Sequence, residues 1–315
     1  MRLAKWTTVI FIPILVLASF SCTKSDSTKY ASKMALVMKA SSNPFFARME
    51  EGAKKAADSL NVELLVGTIT RETDINQQVS LIENMIVQGV QAILIAPADS
   101  KAIVNVLKKA QDAGIRVVNI DNRIDSETAK AVGLTIDCFV GVDNQQGGKM
   151  AGDYLVGLMG GKGQAAMLEG IRGVDNAEAR KNGFLQALEG TDVELVASQS
   201  ANWAQDQGLD IFANMLQANP DITGLFCAND MMALGAIQAI EQAGKTGKIF
   251  VTSYDNLQAA QEAILQGRLN GTIEQHPERM GFQGVMVANE LLQGREVKPE
   301  IMIALELITR ETLQK

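Results

Sequence analysis

What most limits the fold of this chain is a repeated alternation. From Tyr30 onward, short apolar runs alternate with stretches whose apolar residues recur at helical spacing. The runs are ALVMKA, VELLVG, AILIAP, RVVNID, FVGVD, QAAMLEG, VELVASQS, GLFCAND, KIFVTSYD, LNGTIE and IALELIT. Between them the spacing predicts helices over 76–88, 101–113, 144–158, 177–188, 207–217 and 231–243. Continuous apolar strands joined by helical crossovers imply parallel sheets covered on both faces. Gly114 and Gly244 fall just past helix ends, where a left-handed cap is easiest for glycine. So many βα repeats exceed one small sheet, and 315 residues exceed one average domain. A single barrel is the alternative. Against it, polar residues gather at strand ends in two runs, before and after about Asp143, and the chain adds a strand, a helix and another strand after Glu274. The expected α/β fold is therefore two doubly wound parallel-sheet lobes joined by a multi-strand hinge, with a cleft between them. The first lobe is placed at 33–142 plus 276–306, and the second at 143–275 plus 307–315.

Composition excludes some functions. The chain is 47% hydrophobic and 21% charged, with a net charge of −7 and a pI near 5.0. No basic block could offset phosphate charge, which argues against a nucleic-acid partner. Residues 1–21 read as a signal peptide: Arg2 and Lys5, an apolar 6–20 segment, then Ser19 and Ser21 before a cleavage point. An apolar run of about 15 residues, broken by Pro13, is short for a transmembrane helix. Removal leaves 27 basic against 36 acidic side chains. Cys22 follows, then a tether through residue 32 whose 23–29 stretch is too hydrophilic to pack. The arrangement resembles a bacterial lipoprotein, in which the cysteine is lipidated and becomes the new N-terminus. Ser19 stands where the usual motif has leucine, and plain secretory cleavage after Ser21 gives the same mature end. Cys138 and Cys227 lie in separate apolar runs and are read as buried, unpaired thiols, although spacing alone supplies no distance. With one histidine and no metal-ligand cluster, no cofactor is expected.

Candidate site residues sit at strand ends, where open α/β sheets bind ligands. Residues 37–46, V-M-K-A-S-S-N-P-F-F, carry a strand into a helix and place Phe45 and Phe46 at its entrance, flanked by Lys39 and Asn43. A flat apolar face beside a cation and an amide suits a sugar ring, which offers C–H faces and hydroxyls. Asp121 and Asp255 end apolar runs and can accept hydroxyls. Of the pair Asn229-Asp230, the asparagine is assigned to ligand and the aspartate to a helix cap. Trp203 lies in the polar S-A-N-W-A-Q-D loop, placed to stack on a sugar opposite Phe46. Gln275 precedes His276-Pro277 near the expected crossover, and the histidine reads as a hinge residue. Gly160-Gly161-Lys162-Gly163 precedes a strand and reads as a turn rather than a phosphate loop.

From about Lys33 to Leu313 these residues resemble a type I periplasmic sugar-binding protein of the ribose and allose group. The matching pieces are K-A-S-S-N-P-F-F, A-P-A-D-S, N-I-D-N, V-D-N-Q-Q-G-G-K-M-A-G-D-Y-L, E-A-R-K-N-G-F, C-A-N-D-M-M-A-L-G, A-G-K-T-G-K and I-E-Q-H-P. The resemblance implies two α/β lobes joined by three crossings that close on one monosaccharide, which an ABC permease then receives. It implies a ligand set of Lys39, Asn43, Phe45, Phe46, Asp121, Asn182, Trp203, Asn229, Asp255 and Gln275. Lys39 and Trp203 resemble the allose-type members. Phe46 departs from their tryptophan, and Asn122 departs from an acidic or arginine neighbour. The resemblance further implies a monomer, tethered through Cys22, whose closed form a chemoreceptor could also read. The alternatives are a cyclitol or furanosyl ligand and, from another class, an exported enzyme. No G-x-S-x-G, metal cluster or paired nucleophile supports the enzyme.

Overall fold

The computed structural model describes residues 30–315 and, before them, Ala4 alone. Apart from Ala4, the signal peptide expected over 1–21 lies outside the described residues, as do Cys22 and the tether through residue 29. In chain order, the first elements are β1 (Ser32–Ala40), α1 (Pro44–Leu60), β2 (Val62–Ile69), α2 (Ile75–Val87), β3 (Ala92–Ile95), α3 (Val104–Asp112), β4 (Arg116–Ile120), α4 (Ser126–Ala131) and β5 (Cys138–Gly141). There follow α5 (Asn144–Leu158), β6 (Lys162–Glu169), α6 (Asp175–Leu188), β7 (Asp192–Ser200), α7 (Gln205–Ala218), β8 (Ile222–Cys227), α8 (Asp230–Gln242), β9 (Phe250–Tyr254), α9 (Gln258–Leu265) and β10 (Gly271–Glu274). The chain ends with α10 (Pro277–Leu292), β11 (Glu300–Met302), β12 (Glu306–Thr309) and α11 (Arg310–Leu313).

Two six-stranded sheets result, ordered β11-β5-β4-β3-β1-β2 and β12-β10-β9-β8-β6-β7. Each order reverses once, between β1 and β3 in the first and between β6 and β8 in the second. Those reversals open a crevice at the carboxyl ends of the strands, the usual place for a ligand. Helices cover both faces, so β3 and β5 are buried along their whole length. The chain passes between sheets after β5, after β10 and between β11 and β12. The apolar run 303–309 is therefore not one strand. The Ile303 amide donates to the Gly141 carbonyl at 2.8 Å, the last tie to the first sheet, and Glu306 then pairs with Glu274 in the second. β12 is antiparallel to β10, so the second sheet has one antiparallel edge. Cys138 and Cys227 are buried free thiols in different sheets.

Close helix pairing stiffens each lobe. On α1, a Cβ at Gly52 would fall 1.8 Å from the Glu278 carbonyl of α10, and one at Gly281 would fall 2.0 Å from Met49 O. The second lobe repeats the device: Gly148 and Gly183 join α5 to α6, and Gly208 and Gly235 join α7 to α8. These pairs let helix backbones touch.

Candidate functional site

Loops at the carboxyl ends of strands in both sheets, with the second crossing, line one small cavity between the lobes. The first lobe contributes Lys39, Asn43, Phe45, Phe46, Glu72 and Asp121; the second contributes Asn176, Arg180, Trp203, Asn229 and Asp255; Gln275 comes from the crossing. All but Glu72 are less than 9% exposed, so the lobes are shut over the cavity.

On the first-lobe wall, Asn43 caps α1: its Oδ1 accepts the Phe45 amide at 3.1 Å. Pro44 supplies the fixed φ of the first turn. The cap turns Phe45 and Phe46 into the cavity, edge to face at 5.1 Å between centroids. Lys39 Nζ stands 3.2 Å from Asp121 Oδ2 and 5.8 Å from the Phe46 centroid. The contact lacks hydrogen-bond geometry, which leaves Asp121 Oδ2 an unused acceptor inside a buried site.

Across the cavity Arg180 is the centre of the second wall. Its Nε donates to Asn144 Oδ1 at 2.8 Å, Nη1 to Ala228 O at 2.9 Å and Nη2 to Gln275 Oε1 at 3.2 Å. The guanidinium lies 3.8 Å from the Tyr254 ring centroid and 5.5 Å from that of Trp203. Gln275 in turn donates to Asp255 Oδ1 at 2.6 Å. Burial pushes the Asp255 carboxyl well above the usual range, against the opposing pull of Arg180, with Asp230 and Asp121 adding to the rise. Closing the lobes therefore strips water from charged groups, a cost that a polar ligand can offset by hydrogen-bonding to them.

Backbone strain marks the same residues. Asp121, Trp203 and Asp255 have φ of 64°, 65° and 117°. Aspartate tolerates such values better than most residues, and tryptophan does not. At Trp203 the turn lays the indole against Gly170, where a Cβ would sit 2.1 Å from Cζ2. Its Nε1 is buried without a partner. Strain held in place around a cavity is characteristic of ligand sites.

The structure corrects the sequence reading at two points. Asn182 is exposed on the outer face of α6 and does not reach the cavity. The residues of that helix that do are Asn176 and Arg180. Its buried face carries Asn176, Ala177, Arg180, Gly183, Phe184 and Ala187, and helical spacing within D-N-A-E-A-R-K-N-G-F would have marked Arg180 rather than Asn182. Asn229, not Asp230, is the cap of α8: its Oδ1 accepts the Met232 amide at 2.9 Å, and its Nδ2 donates to Trp203 O at 3.3 Å. Asp230 is buried beneath, accepting from Thr272 and the Leu257 amide at 2.8 and 2.7 Å and from Ser253. Trp203 lies in the loop between β7 and α7, as expected, and is only 6% exposed against the cavity.

Glu72 was not anticipated. It stands at the cavity mouth, shared with a larger open cleft lined by Arg71, Thr73, Asn202 and Gln205, and accepts from Asn43 Nδ2 at 3.4 Å. Burial raises its pKa from 4.5 to about 7, opposed by Lys39 and the Asn43 hydrogen bond. The loop T-R-E-T carries no sequence signal for this role. His276 sits at the second crossing with φ 56°, its ring between Glu278 and Glu306 at 3.3 and 3.1 Å.

Compared with known proteins, residues 34–296 match the profile of the periplasmic binding protein domain family. The chain belongs to that family. Among its relatives, this binding protein is 39% identical to a D-ribose/D-allose-binding protein of Pseudomonas aeruginosa, with 88% of each chain covered. It is 33% identical to a ribose import binding protein of Salmonella typhimurium, over 93% of this chain and 96% of the other. A periplasmic solute-binding protein of an ABC transporter from Actinobacillus succinogenes, solved with D-allose bound, superposes with a TM-score of 0.85 at 39% identity, covering 90% of this chain and 99% of that one. The binding protein is thus an exported solute receptor of a transport system, not an enzyme. Among the described residues no helix is long and apolar enough to cross a membrane.

Proposed function

We propose that this protein captures one aldose of the allose or ribose kind in the cavity between its lobes and presents the closed complex to an ABC permease. The observation that carries the reading is the shut cavity itself. Two aromatic faces, Phe46 and Trp203, lie among an unused acceptor on Asp121, the buried carboxylate of Asp255 and fixed donors on Lys39 and Arg180. The ring faces stack, and the hydroxyls replace the water that closure removes. Hydrogen bonds to charged groups contribute about 1.5–3 kcal/mol each, so a few reach the roughly −8 kcal/mol of a micromolar site. Both lobes touch the ligand only when shut, so binding shifts the hinge toward the closed state. The shapes and names of the relatives support the sugar class. Cys22, we further propose, carries the lipid that holds the protein at the membrane surface. Labelled palmitate that enters the wild type and not Cys22→Ser tests that part.

Calorimetric titration of ligand-stripped protein lacking residues 1–22 tests the function, using allose, ribose, glucose, galactose, xylose and myo-inositol. Micromolar binding of one aldose is expected. Binding of myo-inositol alone would move the ligand to cyclitols, and a folded protein that binds none would overturn the reading.

A further inference from the structure

Helix α6 begins without a cap of its own. Its N-cap is Val174, whose side chain cannot accept, so the first amides of the helix need partners from elsewhere. Two of those amides are met by the opposite lobe. The Asp175 amide donates to Ser100 Oγ and the Asn176 amide to Asn122 Oδ1, each at 3.1 Å. Ser100 and Asn122 stand in the loops after β3 and β4 and are buried. Asn122 is gripped from behind: its Nδ2 donates to Pro97 O at 3.2 Å and to Ser100 Oγ at 3.4 Å. Its oxygen must therefore face α6. An amide supplies the donor behind and the acceptor in front on two separate atoms.

The Asn176 side chain turns the other way, into the ligand cavity. Its Oδ1 is fully buried and has no partner. A buried acceptor without a donor is costly to keep, and the cavity is where a donor can enter. Resting on the reading of this cavity as a sugar site, we infer that Asn176 is a ligand-selecting residue whose Oδ1 accepts one sugar hydroxyl, held in position across the cleft by Ser100 and Asn122. When the lobes part, the α6 amides are left to water, which costs little. When they shut, the two caps form and fix the backbone that carries Asn176. Recognition of that hydroxyl and closure are then one event. Asn122 acts at a distance from the sugar, as a positioning residue, which gives the missing acidic or arginine neighbour of Asp121 a different function in this chain.

The test uses the chain lacking residues 1–22, the aldose that the unaltered protein binds, and the singly deoxygenated analogues of that aldose. Asn176→Ala should weaken the parent sugar about tenfold or more, with the loss absent for the one analogue that lacks the accepted hydroxyl. Asn122→Leu should weaken every analogue by a similar factor, through faster dissociation at an unchanged association rate. Because it also removes the bonds to Pro97 O and Ser100 Oγ, it should lower the melting temperature of ligand-free protein somewhat. Ser100→Ala, a smaller change, should show the same pattern more weakly. An Asn176→Ala loss spread evenly over all analogues, or none at all, overturns the contact. Unchanged dissociation in both Asn122→Leu and Ser100→Ala overturns the latch. If the unaltered protein binds no sugar, the functional reading has failed and the inference goes with it; if it binds normally and the variants match it, only the inference has failed.

Discussion

Asp121→Asn isolates the charge at the centre of the site. Alanine is the less suitable change, because Asp121 has a φ of 64°, where an ordinary side chain adds about 1–2 kcal/mol of backbone strain in both open and closed forms. Asparagine tolerates that conformation and keeps the shape. What it removes is the carboxylate 3.2 Å from Lys39 Nζ, both side chains being 4% exposed or less. In the open form Lys39 faces water and loses little. In the closed form its ammonium is left to Glu72 alone, which is itself pushed toward the neutral state. Two hydroxyl bonds to a carboxylate become bonds to a neutral amide, each weaker by about 1 kcal/mol. The unpaired buried ammonium adds a further part of the 3–5 kcal/mol seen when one partner of a buried pair is removed. The total, about 3–4 kcal/mol, is a loss of roughly 100- to 1,000-fold in affinity. Trp203 is the only tryptophan once the 1–21 segment is gone, and it lines the cavity, so its fluorescence reads binding directly. Thermal unfolding without ligand should be nearly unchanged. Affinity within threefold of wild type, or a ligand-free protein that is itself unfolded, would refute the reasoning.

Other expectations follow from particular groups. Burial would raise the Glu169 pKa, but hydrogen bonds from Arg172, Ser198 and Lys181 outweigh it and hold it at about 2 against an ordinary 4.5. A depressed folded pKa contributes stability above the unfolded value and loses it as pH falls through the folded one, so roughly 2–3 kcal/mol should disappear between pH 4.5 and 2, and Glu169→Gln should flatten that acid limb in a denaturation series. Glu72 has the opposite sign. Its pKa near 7 belongs to the shut cavity, so closure takes up a proton, and its support for the closed form is complete below pH 4.5 and lost as pH rises through 7. Sugar affinity should therefore fall by roughly tens of fold from pH 5 to 8, and Glu72→Gln should remove that dependence. Gly52→Ala would press a Cβ to 1.8 Å from the Glu278 carbonyl; a shift of backbone against backbone should cost about 1–3 kcal/mol, read as a lower melting temperature with little change in ligand preference.

The division between sequence and tertiary structure is physical. Periodicity is a local property, and it sufficed for the alternation of strands and helices, the cover on both sheet faces and the placing of site residues at strand ends. Asn43 and Pro44 announce the turn of α1 because capping is decided within a few residues. The motif pieces, each short and local, likewise carried the family. Where a side chain points once two lobes meet is not local. Asn182 and Arg180 share one segment, and only the packing of α6 against the cavity puts Arg180 inside and Asn182 in water. Residues 303–309 read as one apolar run, yet the chain leaves one sheet and enters another within them. Glu72 lies in a loop with no pattern, and its position at the mouth exists only when the opposite lobe arrives. By itself the sequence determined the elements, their class and the family. The tertiary structure decided which polar groups lose water together, because burial and electrostatics depend on neighbours distant in the chain, as Asn176 and Asn122 do across the cleft.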